Sequence, residues 1–377
     1  MRNIGNKIFT VVIGILLLCI GLTAGITISA AVVIGKAGVL LTILKVALAL
    51  IFGMFISIIS HEAGHMVCGL ISGYRFSSFR ILSLMIMKQD GKFVFRRFSI
   101  PGTGGQCLMT PPKGREFMPY RLYLYGGTIA NMILAVICTP LCYLIGLDSF
   151  FSLILILTAA FSLYLAFVNG LPREVGGMAN DAMNVKFMRS DKNARRAMML
   201  QLRINDAQTR GMRLSEMPEE WFSLPNDNNH RNTLCTSIKV FACNRLMDQE
   251  RFAEADIEIR KLLSSRDNIV NIYRYFLRCD LIFCELILRG SEANISSLYT
   301  TQYKRIAKTM SFYPSFLRTE YAINTIRTKD KNAAENIRQK FDRKTKNSPF
   351  TQDVKFESHL MDLAYEKAFG EQTTSEN

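Results

Sequence analysis

Polar positions are almost absent from four stretches of the first 170 residues: 8–34, 39–59, 122–145 and 150–168. Each approaches or exceeds the roughly twenty apolar residues that a helix needs to cross a bilayer. The pattern therefore predicts four membrane-spanning helices. The first stretch is too long for the core of a signal peptide and has no small-residue cleavage pattern after it, so it reads as an anchor. Lys45, in the second, lies within two turns of that helix's start, where its ammonium can snorkel to the interface.

The period changes twice elsewhere. Within 73–118, Phe79–Met87 and Lys92–Ile100 read as strands, and Asp90-Gly91 between them is a hairpin turn signal. Pro101–Gln106 contains Gly-x-Gly-Gly, but no Lys-Ser/Thr follows it, so it reads as a flexible connector rather than a phosphate loop. Beyond residue 190, apolar and charged residues recur at helical spacing. Predicted helices cover 194–207, 234–247, 252–263, 273–288, 298–310, 316–328 and 332–341. The segment Asn244–Ala255 is similar to the turn of a tetratricopeptide-like repeat, and the helix pairs recur near its 34-residue period. Such a solenoid binds peptides or partners; the alternative is a bundle that only stabilises the membrane part.

The expected organisation is a membrane domain over 1–189 with a β-rich insertion at 73–118. A soluble, all-α domain over 190–370, read as tetratricopeptide-like, follows, then a disordered tail at 371–377.

Charge adds orientation. The 377-residue chain carries a net +15, of which the 73–121 loop supplies +7: nine Lys and Arg against Asp90 and Glu116. The short turns hold almost none: Lys36 in the first, Asp148 in the last. By the positive-inside rule the N-terminus, the 73–121 loop and the C-terminal domain are cytoplasmic in a multi-pass protein of the cell membrane. The basic loop fits anionic lipid headgroups. No nucleic-acid motif accompanies the charge, and none is expected as a partner. Nine cysteines show no C-x-x-C pair. Cys68, on the face of His61, reads as a small packed residue.

At the end of the second apolar stretch stands His61-Glu62-Ala63-Gly64-His65, an H-E-x-x-H motif. Residues four apart share a helix face, so His61 and His65 can point at one Zn²⁺. Glu62 lies about 100° round the helix and reaches a metal-bound water instead. A catalytic zinc needs a third protein ligand and an open position. His230 and His359, the other two histidines, lie far away in a polar region, so a carboxylate is the expected third ligand. Ionisable groups at membrane depth are costly and by default functional.

After the fourth stretch, Pro172 and Gly176-Gly177 break the helix before Asn180-Asp181. Irregular backbone at membrane depth lines a cavity or is buried in protein. Asp181 is favoured as the ligand. Its rival, Glu174, follows Arg173 and reads more readily as a paired surface charge.

The chain resembles the site-2 protease family of intramembrane zinc metalloproteases. That family pairs an H-E-x-x-H helix with a later helix carrying Asn-x-x-Pro and an Asp-Gly type motif. Asn169-Gly170-Leu171-Pro172 with Asn180-Asp181 fits this pattern, and Gly126-Gly127-Thr128-Ile129-Ala130-Asn131 is similar to the family's Gly-x-x-x-Asn element. The resemblance covers roughly residues 45–185. It implies His61, His65 and Asp181 as ligands of one Zn²⁺ per chain and Glu62 as general base. Asn131 and Asn169 are then substrate-binding or supporting groups, or they glue and cap helices. The chain departs from the pattern at Ala182, where the family has glycine, and in the longer spacing from Asn169 to Asp181.

The expected activity is hydrolysis of a peptide bond in a membrane-spanning or membrane-associated substrate. Two rivals remain. One is a membrane adaptor with a degenerate or structural metal site, whose repeats recruit a partner. The other is a membrane-associated protease cutting soluble chains.

Overall fold

A computed structural model describes residues 38–89, 91–100, 103–112, 119–175, 177–225 and 232–370, with scattered positions between 14 and 29. The predicted span over 8–34 and the tail 371–377 fall mostly or wholly outside the described residues. The chain is mainly helical and divides into two compact units. The first comprises residues 1–83, 100–175 and 179–186. The second comprises 84–99, 176–178 and 187–377.

Three helices of the first unit are long and apolar enough to cross a membrane: α1 (Val39–Ile71), α2 (Tyr120–Ile145) and α3 (Phe150–Gly170). At 1.5 Å per residue, the 33 residues of α1 extend about 50 Å, against a hydrocarbon core of about 30 Å. The predicted span at 39–59 therefore continues without a break through the H-E-x-x-H motif.

Apolar on every side, α1 takes its orientation from small and polar residues. Val46, Ala49, Gly53, Ser57, His61 and Gly64 recur every three or four positions and are all buried, while Leu40, Leu44, Ile51 and Phe52 are exposed. Small residues let helix backbones meet where there is no water to drive association. A Cβ on Gly64 would stand 2.2 Å from the carbonyl oxygen of Gly126 on α2, and one on Gly53 would meet Thr158 N on α3 at 3.0 Å. The Ser57 hydroxyl bonds Gly53 O (2.8 Å), Thr158 O (3.1 Å) and Ser162 Oγ (3.0 Å). Such hydrogen bonds tie helices together at about 0.6–2 kcal/mol each in a membrane.

The insertion contains more strands than its pattern predicted. The predicted strand 79–87 is split, because Leu82 turns at a positive φ of 52°. β1 (Arg75–Ile81) ends before that turn and β2 (Leu84–Gln89) starts after it. β2 pairs antiparallel with β3 (Lys92–Arg97) across Gly91 at φ +79°, as the Asp-Gly signal requires. The segment read as a connector leads into a further strand, β4 (Gly105–Thr110), which pairs antiparallel with β1 from Arg75↔Thr110 to Ile81↔Gly105. Isolated glycines in a strand mark close backbone approach, and Gly105 is such a position.

After the helix α4 (Asp181–Ser190), the second unit contains α5 (Lys192–Thr209), α6 (Thr233–Asp248), α7 (Phe252–Ser264) and α8 (Asn271–Leu288), which follow the predicted helices closely. The predicted 298–310 helix is α10 (Thr301–Thr309), and a short unpredicted helix, α9 (Glu292–Leu298), precedes it; each is capped by a serine or threonine hydroxyl. Then come α11 (Pro314–Ala322), continued by a π turn over Ile323–Arg327, α12 (Lys331–Thr345) and α13 (Thr351–Phe369). The last was not predicted. One apolar core joins the helices from α6 onward, with Leu277, Phe283, Phe316 and Leu360 fully enclosed. Arg318 is buried in it, bonded to Asp280 Oδ1 (2.5 Å), Glu357 Oε2 (2.8 Å) and Cys279 O (3.1 Å).

Candidate metal centre

His61, Glu62 and His65 lie on the buried face of α1. His61 Nε2 and His65 Nε2 are 3.2 Å apart. Asp181 Oδ2 stands 3.4 Å from the first and 3.3 Å from the second. Among the described residues these three form a group that could hold a metal ion. A tetrahedral zinc binds such atoms at about 2.0–2.2 Å, which separates neighbouring ligands by about 3.3–3.5 Å. The triangle fits that ion with almost no rearrangement.

Both imidazoles are held from behind. His65 Nδ1 donates to Tyr123 O at 2.9 Å, and His61 Nδ1 meets the Asn131 side-chain amide at 3.2 Å. A histidine whose Nε2 faces a metal carries its proton on Nδ1 and needs an acceptor there. Tyr123 supplies a carbonyl. Asn131 supplies one when its amide turns the oxygen toward the ring, which also satisfies the buried Oδ1 that otherwise lacks a partner. Gly127 leaves room for the ring: a Cβ there would touch His61 Cε1 at 2.5 Å.

The broken segment after α3 is organised by Asn180. Its Oδ1 accepts from Arg173 N (3.0 Å) and Met183 N (2.9 Å), and its Nδ2 donates to Val168 O and Leu171 O (both 2.6 Å). The bond from Met183 N is an N-cap for the helix Asp181–Ser190. One side chain thus clasps four backbone groups and sets the next residue, Asp181, against the histidines. Burial opposes ionisation of the Asp181 carboxyl, but the His65 and His61 imidazoles hold it well below the usual carboxylate range, in the form a metal binds. Ala182 is enclosed, so its methyl is accommodated where the resembling family carries glycine.

Other predicted positions stand apart from this group. Glu174 lies in a two-residue strand and is not part of the triangle. Asn169 donates to Leu165 O on its own helix at 3.1 Å. His359 pairs with Glu250 in the second unit, and His230 is outside the described residues. Cys68 has its Cβ against Gly126, a packing contact.

Two features escaped the sequence. Gly105 of β4 passes directly over the base: a Cβ on it would lie 2.6 Å from Glu62 Cγ and Oε1. Arg80 on β1 is 1% exposed and bonds Leu82 O (2.6 Å), Thr103 Oγ1 (2.5 Å) and Gly105 O (3.3 Å). It fixes the strand end that covers Glu62. Tyr123 OH, bonded to Cys107 O at 2.9 Å, ties the same strand to α2. The glycine-rich run 102–105 was the available signal for such an approach.

A family model for peptidase family M50 matches residues 49–357. No curated protein and no solved structure matches the chain.

Proposed function

The chain belongs to peptidase family M50, the site-2 proteases, and is an intramembrane metallopeptidase; on that premise we propose that His61, His65 and Asp181 hold one zinc ion and that Glu62 is the general base. The observation that carries this reading is the triangle of Nε2, Nε2 and Oδ2 at 3.2–3.4 Å. Zinc bound there would lower the pKa of water and polarise the scissile carbonyl. The residues of the chain do the rest. Glu62 takes a proton from the attacking water and delivers it to the leaving amine. Tyr123 O and Asn131 keep the two imidazoles in the ligating tautomer. β4 pairs with β1 along one edge and, among the described residues, has no strand on the other. A substrate unwound into extended form can add to that open edge, where Gly105 admits it close to Glu62. Unwinding is required because a helix buries the peptide bonds that water must reach.

The substrate is a membrane-spanning or membrane-associated peptide or protein. The asymmetry of basic residues supports a cytoplasmic N-terminus, 73–121 loop and C-terminal domain, with the loop against anionic headgroups. The helices of 190–370 are read as a surface for a protein partner.

Zinc content of the detergent-purified chain tests the ligand set. Wild type should hold about one zinc per chain, Glu174→Ala the same, and Asp181→Ala much less. No zinc in wild type after supplying the metal, or full occupancy in Asp181→Ala, would refute the assignment.

A further inference from the structure

The helical unit contains a cavity of about 340 Å³ unrelated to the metal centre. Phe241, Tyr273, Phe276, Tyr313 and Phe350 are among its lining residues. Phe276 meets Tyr313 edge-on at 5.0 Å, and Phe98, just after β3, meets Phe350 in the same way at 5.2 Å. Four carboxylates, Asp248, Asp280, Asp353 and Glu357, line the same cavity, and no Lys, Arg or His is among the described lining residues. In a chain of net charge +15 this is a local reversal of sign.

Two guanidiniums pair with three of the four carboxylates. Arg213 Nη2 is 2.9 Å from Asp248 Oδ1, and Ser215 N donates to Asp248 Oδ2 at 2.7 Å. Arg318 bridges Asp280 and Glu357. Asp353 bonds the neutral amide of Gln208, at 3.3 and 3.4 Å, and makes no ion pair among the described residues. The wall thus carries surplus negative charge. Burial, with Glu357 and Asp248 nearby, pushes the Asp353 carboxyl up to about 7; burial likewise raises Asp280 to about 6, against the pull of Arg318.

We propose that this cavity binds the basic side chain of a partner peptide, its ammonium or guanidinium set against Asp353 and its aliphatic stem laid between the aromatic rings. The chemistry is complementary at both ends. A carboxylate at a partly desolvated site gains most from a cation, and ring faces attract cations and cover apolar stems. The volume lies at the lower end of the range for ligand pockets, which suits one long side chain. Because the cation needs the ionised Asp353, binding is strongest above pH 7 and weakens toward pH 6.

Saturation-transfer NMR on the detergent-purified full chain tests this with N-acetyl-lysine methylamide and N-acetyl-arginine methylamide as probes. The control is the lysine probe acetylated on Nε, which is more apolar and uncharged. The expected result at pH 8 is saturable binding of the charged probes and at least tenfold weaker binding of the control. Asp353→Asn and Phe276→Ala should each weaken the charged probes at least fivefold. Asp353→Asn should also fold. With its carboxyl raised in the folded state, Asp353 contributes stability that is full at low pH and lost as pH rises through about 7, so at pH 8 the neutral amide relieves a cost. Equal binding of charged and acetylated probes, no saturable binding up to tens of millimolar, or unchanged binding in both variants overturns the proposal. Cadaverine separates the sources: if it outcompetes both capped amino acids tenfold, a free diamine is the ligand and the peptide assignment fails.

Discussion

Glu62→Gln is expected to purify with its zinc in place and with hydrolysis reduced by about 10²–10⁴-fold, the range that a positioned general base contributes. The substitution is isosteric and leaves the Nε2, Nε2, Oδ2 triangle untouched, because Glu62 belongs to none of its edges. Its side chain lies under the Gly105 backbone, so glutamine fits the same space without moving the strand. The measurement pairs zinc per chain with turnover of a membrane peptide that wild type cleaves. Retained zinc with lost turnover supports the base. Retained zinc with turnover within about threefold of wild type would mean that another group moves the proton. The adaptor reading predicts a different outcome: cellular function persists in the variant.

Gly64→Ala should be nearly as damaging, although it adds one methyl and touches no reacting atom. On helix propensity alone alanine is favoured over glycine by about 1 kcal/mol. Here the added carbon would stand 2.2 Å from Gly126 O and 2.6 Å from Ala130 Cβ. The first neighbour is helix backbone, so relief requires α1 and α2 to separate near the residues that hold His61 and His65. Overpacking a tight contact costs about 1–3 kcal/mol and occasionally more, and this site belongs at or above the top of that range. The expected result is a fall of several degrees or more in the unfolding midpoint in detergent, with zinc well below one per chain. Gly53→Ala, with contacts of 3.0–3.2 Å, should show the milder form. A Gly64→Ala protein with wild-type midpoint and zinc would show that the helices do not meet as closely as described.

The parts of this site that the sequence disclosed are those written in local spacing. Four residues separate His61 from His65, and helical geometry alone puts them on one face. The three described spans were visible because lipid imposes an apolar composition on every residue of the crossing. Asp181 was visible as a carboxylate on an irregular segment and through the family resemblance; what positions it, Asn180, acts through bonds to residues 168, 171, 173 and 183, and no period records such a clasp. β4 was hidden because its partner strand lies about 30 residues earlier and its glycines resemble a linker. Leu82 at positive φ concealed the strand break, since a branched apolar residue is among the least expected there. Helix Thr351–Phe369 was missed because its buried Leu360, Met361 and Ala364 are diluted by charged positions.

The Asn180 clasp also governs how quickly a bound ion can leave. Two of the three proposed ligand atoms ride on the long helix α1. The third rides on a short stretch held by hydrogen bonds to main-chain groups, and such stretches fray independently of global unfolding. Each opening of residues 171–183 would withdraw the aspartate and leave the ion on two nitrogens, where exchange with solution is fast. On the proposed ligand set, residence time of a bound ion would be set by an amide outside the triangle of donor atoms, and a change at Asn180 would alter exchange kinetics before it altered the geometry of the site.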